Sequence, residues 1–310
     1  MEEKIKIAVQ FFGHLRTFEK CAQTVKKEIL SKYDCDVFMH TWSDTEHSTP
    51  TWHNEKSKKQ SVNESIIKKI EKIYSPKMIL VEKQTLPTTD VLIPCLHNNG
   101  GKNISAAGMN FMLKSQIKVN ELRRQYASKN HINYDLVIML RPDIYLKSGI
   151  DFNKLINQSH KIIDYPVRFC VSNALKKGSS CSFVTDIMSD VLYLATSSNM
   201  DLIVNAFKKV KFENFSKTMW TPENLITNIL AREGIATLAL FFFFNRDFEI
   251  IRGNTSLKEK RRKFISFKLS TEGLRLHLLR FIKQNILSLD VCLFNFFNID
   301  FSIGNPYAKY

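Results

Sequence analysis

The 310-residue chain is short of the residues that punctuate and staple unusual folds. Ten glycines and eight prolines are too few for a collagen-like or low-complexity chain. Six cysteines (Cys21, Cys35, Cys95, Cys170, Cys181, Cys292) contain no Cys-x-x-Cys pair. That argues against a disulfide framework and predicts a reduced, cytoplasmic setting. The eight histidines show neither His-Glu-x-x-His nor His-x-His spacing, so a zinc enzyme is not expected. GxGxxG, GxxxxGK[ST] and GxSxG are all missing, which removes the dinucleotide fingerprint, the P-loop and the α/β-hydrolase elbow. The longest apolar run, LALFFFF at 238–244, falls far below the roughly 20 residues of a membrane span. The start, MEEKIKIAVQFFG, carries acids where a signal peptide carries bases. Together these predict a chain that is neither exported nor membrane-spanning.

Acidic residues are also scarce. Asp and Glu number 30 against 45 Lys and Arg, a net charge of +15. Such a balance favours anionic partners: nucleic acid, phosphorylated small molecules or an anionic membrane. The rest of the composition, 44% hydrophobic and 24% charged, is that of a folded protein. The length predicts one large α/β domain, alone or with an appendage.

The first half alternates two periodicities. KIAVQFF (6–12), CDVFMHTW (35–42), KMILVEK (77–83) and YDLVIMLRPDIYL (134–146) are short apolar runs that read as strands. Between them, FEKCAQTVKKEILSKY, SVNESIIKKIEKIY and SAAGMNFMLKSQIKVNELRRQYASK repeat apolar residues every three or four positions and read as helices. Segments 43–58 and 84–104 lack a period and read as loops. Strands separated by helices predict a mostly parallel sheet with helices on both faces, and in such sheets ligands bind at the carboxyl ends of strands. Further on, RFCVSNA and VLYLATS read as strands, NMDLIVNAFKKV and TPENLITNILAREG as helices, and LALFFFFNRDFEIIR as one long or two short strands. A domain boundary is expected at 253/254, where the chain turns basic and then aromatic.

Several residues could carry chemistry. In GHLRT (13–17), Gly13 permits a sharp turn from strand to helix, and Arg16 could grip a phosphate or carboxylate; the alternative is an ordinary turn with a surface arginine. In RPD (141–143), Pro142 halts the ladder. Asp143 could ligate a divalent metal bridging a diphosphate, with Arg141 on the same diphosphate; equally, Arg141 and Asp143 could form an internal pair closing the sheet. Tyr145 stands where a second metal-binding carboxylate would be expected. Asp186 and Asp190 precede a strand, and Glu223 follows Pro222 at a helix start capped by Thr221. His40, Trp42 and Asp44 end a strand, His40 reading as a hydrogen-bonded structural histidine.

IAVQFFGHLRTFEKC, CDVFMHTWSD, YDLVIMLRPDIYL, SDVLYLATSSNMDLI and TPENLITNIL, in that order over residues 5–251, resemble bacterial glycosyltransferases of lipopolysaccharide and capsule synthesis. The resemblance implies a GT-A-like (Rossmann-type) α/β fold and transfer of a sugar from a nucleotide-sugar donor to a growing surface glycan, lipid-linked or free. By the same resemblance Gly13, Arg16, Thr17, Arg141 and Asp143 are donor-binding. Asp143 is the candidate ligand for Mn²⁺ or Mg²⁺, and Asp190 and Glu223 are the catalytic carboxylates on the acceptor side. Tyr145 departs from the metal-binding pattern. On this reading Asp143→Ala is expected to remove transfer and leave the fold intact. Two alternatives remain: a basic nucleic-acid-binding protein, favoured by KEKRRK (258–263) but lacking any nucleic-acid motif, and an inactive glycan-binding relative.

The extension 254–310 carries Lys258, Lys260, Arg261, Arg262, Lys263, Lys268, Arg275 and Arg280 beside Leu274, Leu278, Phe281, Ile282 and Leu289 at helical spacing. A basic amphipathic helix of this kind predicts peripheral contact with an anionic inner membrane on its cytoplasmic face, or packing of its apolar side on the catalytic domain.

Overall fold

The computed structural model describes residues 5–46, 60–85, 92–94, 103–158, 167–170, 189–210, 222–243 and 247–251. These lie within one compact unit, Met1–Asn254. Asp186, Thr221 and the expected 254–310 extension fall outside the described residues.

The protein is α/β. Strand β1 (Lys6–Phe12) runs through the centre of the sheet, and every residue after Lys6 is buried. Helix α1 (Phe18–Val25) buries Phe18, Cys21, Ala22 and Val25 and continues into a π-turn, Lys26–Leu30. Strand β2 (Asp34–Trp42) follows, then α2 (Glu64–Tyr74), β3 (Met78–Glu82), and two short strands, β4 (Leu92–Pro94) and β5 (Asn103–Ser105). The long helix α3 (Ala106–Asn130) leads to β6 (Leu136–Leu140), β7 (Ile144–Leu146) and α4 (Phe152–Gln158). The remainder comprises β8 (Val167–Cys170), β9 (Leu192–Ala195), α5 (Ser197–Lys208), α6 (Pro222–Arg232), β10 (Leu238–Phe243) and β11 (Phe248–Ile250).

The helix starts have identifiable chemical causes. Asn63 accepts a hydrogen bond from the Ile66 amide, Ser105 from Gly108 and Thr196 from Asn199, so each supplies an acceptor to a backbone N–H that the helix itself cannot pair. Two helices end on residues in the left-handed conformation, Ser75 after α2 and His131 after α3.

Seven strands form one sheet in the order β10-β8-β9-β6-β1-β2-β3. Its pairings are parallel except at β9, which runs against both β6 and β8. Alternation along β1 and β2 divides the core. Phe11 packs at a tilt against Tyr74 of α2 on one side, while Gln10 and His40 bond to Asn120 and Ser115 of α3 on the other. Met109, Leu113, Gln116 and Asn120 of α3 are buried on that second face, as their spacing predicts, with Met112 partly covered.

One expectation changes. Segment 84–104 is not wholly loop: β4 lies in it and pairs antiparallel with β5, which begins there. Strands of three residues are too short to leave a periodic signal in sequence. Pro142 halts the ladder as expected, and Ile144–Leu146 does not continue the sheet. The Ile144 amide turns back to the Arg141 carbonyl (3.3 Å), and β7 pairs with β11 in a separate antiparallel ribbon. Of the two readings left open for LALFFFFNRDFEIIR, two short strands are present, and they belong to different sheets.

From β1 the chain builds outward through β2 and β3, then returns across β1 to place β6 on its other side. Connections therefore leave the carboxyl ends of β1 and β6 in opposite directions. The β1/β6 junction is thus the topological switch point, the position at which sheets of this kind bind ligands.

Candidate functional site

Two turns meet at this switch point. After β1 come Gly13 to Thr17; after β6 come Arg141 to Asp143. Gly13 has φ +88°, a conformation natural to glycine, and the Gly13 amide donates to Ser115 Oγ (2.7 Å). Arg16 also has positive φ, +47°, which costs a non-glycine residue free energy unless its surroundings hold it. They do so through the segment that follows β2. His14 Nδ1 meets the Asp44 carbonyl at 2.9 Å, the Arg16 amide donates to the Thr45 carbonyl at 2.9 Å, and Arg16 Nε donates to Glu46 Oε1 at 3.0 Å. Residues 44–46 are anchored on their other side by β-bridge pairing of Asp44 with Ser61 and by the Thr45 amide donating to the Gln60 carbonyl (2.8 Å).

Arg16 is thus no surface arginine: its side chain is 7% exposed. Its Nη1 donates to Asp143 Oδ2 at 3.1 Å. Arg141 reaches the same carboxylate with two prongs, Nε to Oδ1 at 2.9 Å and Nη2 to Oδ2. Asp143 is 0% exposed and lies between two guanidiniums. Of the two meanings left open for RPD, the internal Arg–Asp pair is therefore present, and it has recruited a second arginine from across the sheet. Burial works against the Arg16 charge, but Asp143 and Glu46 outweigh it and raise the guanidinium above its usual value. His14 is driven the other way. Burial first, then the nearby Arg16 charge, lower it to about 4, so its ring is neutral at pH 7.

This geometry does not suit Asp143 to hold a divalent cation. Its oxygens accept three N–H bonds from two cations, and a metal would need those lone pairs while facing both positive charges. Among the described residues, no group of three or more His, Cys, Asp or Glu side chains is arranged to hold a metal ion.

The other expected residues take different stations. The Thr17 hydroxyl donates to the Ile251 carbonyl, and the Ile251 amide donates to the Asp143 carbonyl (2.9 Å), so Thr17 ties α1 to the β7–β11 ribbon behind the cluster. Tyr145 lies in β7, paired with Glu249, and is part of that ribbon. Asp190 is half-buried in the turn before β9; the next residue's carbonyl accepts from the Arg141 amide (3.0 Å), which puts this turn beside the RPD segment. Glu223 is half-buried in the first turn of α6, its carbonyl accepting from Thr227 Oγ1 (2.8 Å). Among the described residues no hydrogen bond or ion pair joins Glu223 to the arginine cluster.

His40 is a hydrogen-bonded structural histidine, as expected from the sequence, but sequence reasoning missed its partners, Ser115 and Glu82. His40 Nδ1 lies 2.7 Å from Ser115 Oγ, and its Nε2 lies 2.9 Å from Glu82 Oε2. Burial lowers the His40 pKa against the opposing pull of Glu82. A neutral ring that donates from Nε2 to Glu82 must accept at Nδ1, so Ser115 donates to His40 and accepts from Gly13. The relay runs from the sheet edge to the β1 turn. Ser115 is wholly buried, which removes it as a nucleophile and makes the relay a brace. Glu46 was missed as well; it sits in a polar, aperiodic stretch with no motif around it. No family model matches the chain, and no curated protein matches it either.

Proposed function

We propose that the protein is a glycosyltransferase of GT-A-like fold that moves a sugar from a nucleotide-sugar donor to a bacterial surface glycan. The observation that carries this reading is the convergence of Arg16 and Arg141 on Asp143 at the β1/β6 switch point. Two fixed guanidiniums there suit a donor diphosphate, which must be held in the ground state and stabilised as it departs. The mixed α/β sheet and the motif order of the resemblance support the same reading.

In this chemistry the acceptor hydroxyl attacks the anomeric carbon, the bond to the diphosphate oxygen breaks, and the hydroxyl proton passes to a base. Arg16 and Arg141 take the charge left on the nucleoside diphosphate. Asp143 orients both arginines, and Gly13 and Thr17 hold the turn that carries Arg16. Asp190, beside RPD, and Glu223 are the carboxylates assigned to the acceptor side, and the extension 254–310 the membrane contact.

The test is release of free nucleotide from UDP-, GDP-, CMP- and dTDP-sugars in the presence of glycan acceptors. Turnover of one donor, reduced at least tenfold by Asp190→Asn or Glu223→Gln with donor affinity retained, supports the reading; a lost base costs about 10²- to 10⁴-fold. Failure to bind or turn over any nucleotide sugar refutes it.

A further inference from the structure

Glu46 is placed where a ligand anion would be expected. Its carboxylate takes Arg16 Nε at 3.0 Å, on the edge of a guanidinium whose Nη1 is committed to Asp143. The two acids are not equivalent. Asp143 is 0% exposed and held by three bonds, whereas Glu46 is 19% exposed at the rim. With both carboxylates engaged, the charges of Arg16, Arg141, Asp143 and Glu46 cancel. With Glu46 withdrawn, the cluster carries one net positive charge at the switch point.

We propose that Arg16 and Arg141 form a diphosphate cradle that works without a divalent cation, and that Glu46 is its latch, a built-in carboxylate that an incoming diphosphate displaces. The inference rests on the reading of this site as the donor site. It goes further in assigning neutralisation to arginines alone and in giving Glu46 a regulatory part.

Three features support it. Asp143 is engaged as the fixed counter-ion of both arginines, so the position that could hold a metal already orients cations. Arg16 keeps its backbone through the Thr45 carbonyl, so departure of the Glu46 side chain leaves the arginine in position. Diphosphate oxygens and a carboxylate compete for the same N–H geometry, and the diphosphate brings more charge. Glu46 then acts as a selectivity filter: weak anions fail to displace it, and multiply charged ones succeed.

The experiment is calorimetric titration of the full chain with inorganic pyrophosphate in excess chelator, repeated with Mg²⁺ and with Mn²⁺. Pyrophosphate should bind in chelator. Glu46→Gln keeps an oxygen to accept from Arg16 Nε but removes the charge, and should tighten binding about three- to tenfold. Arg16→Met should lose the Glu46-sensitive binding, leaving only weak binding to the basic extension. Arg16→Lys, which keeps the charge but not the fork, serves where Arg16→Met does not fold, and should weaken binding. Pyrophosphate binding that requires a metal, or that is absent in all conditions, overturns the cradle. Unchanged or weakened binding in Glu46→Gln overturns the latch and makes Glu46 a mere support for Arg16. The glycosyltransferase reading fails separately: pyrophosphate bound as described, with no nucleotide sugar bound or consumed, leaves the cradle standing and removes the sugar transfer.

Discussion

Asp143 is a buried anion with two cations attached, and that fact changes what its removal should do. Asp143→Ala would leave Arg141 without its carboxylate and Arg16 with Glu46 alone, in a site where their side chains are only 11% and 7% exposed, and loss of one partner of a buried pair costs about 3–5 kcal/mol. The expectation that this variant keeps its fold therefore gives way to a strongly destabilised protein, measurable by urea unfolding; a midpoint within error of the parent would contradict the geometry. His14 predicts a pH dependence. Its folded value of about 4 lies below the ordinary 6.5, so between those limits the unfolded chain binds more protons than the folded one. Stability then rises with pH across that window and is lost as pH falls through it, by about 3 kcal/mol when complete. His14→Gln should flatten the slope of unfolding free energy between about pH 6.5 and 4. Part of this site was legible in sequence. Arg141 and Asp143 stand out because a Pro-centred charge pair interrupts an apolar strand. Glu46 and His14 act through tertiary pairing across the β1 and β2 turns, and no local pattern marks that.

At the scale of elements, the β1 turn is braced by α3 rather than by its own sequence. Ser115 accepts from the Gly13 amide and donates to His40, so Ser115→Ala leaves both without their partner. A cost of about 1–3 kcal/mol follows from the unmade bonds. The more specific sign is local: the Gly13 amide should exchange with solvent faster in Ser115→Ala than in the parent, with α2 amides unaffected. Equal exchange at Gly13 would show that the turn holds itself. The long strands and the three helices of the first half are legible because their apolar periods are sustained over many residues. The ribbons β4–β5 and β7–β11 are not: three-residue strands are too short to show a period, and β7 finds its partner far away in the chain. The reversal of β9 is likewise invisible locally, because strand direction leaves no mark on a four-residue apolar run.

The whole molecule combines two kinds of positive charge with different reach. The net +15 belongs to the whole chain and acts through solvent at long range, where salt screens it within about 8 Å at physiological strength. Arg16 and Arg141 are buried against Asp143, so their charges act only at short range. Among the described residues no helix is long and apolar enough to cross a membrane. The physical consequence of a diffuse positive charge is attraction of anions from solution. If the diffuse charge steers and the buried pair holds, salt should separate the two steps. Raising ionic strength from about 0.01 to 0.15 M shortens the screening length from about 30 to about 8 Å. The association rate of a nucleoside diphosphate should fall on the order of tenfold over that range, as for steered encounters. Its dissociation rate should change little, because the contacts that break on leaving are shielded from solvent ions. Stopped-flow binding at several salt concentrations measures both. A dissociation rate that climbs as steeply as the association rate falls would mean that the anion rests on exposed surface charges and never reaches Arg16 and Arg141.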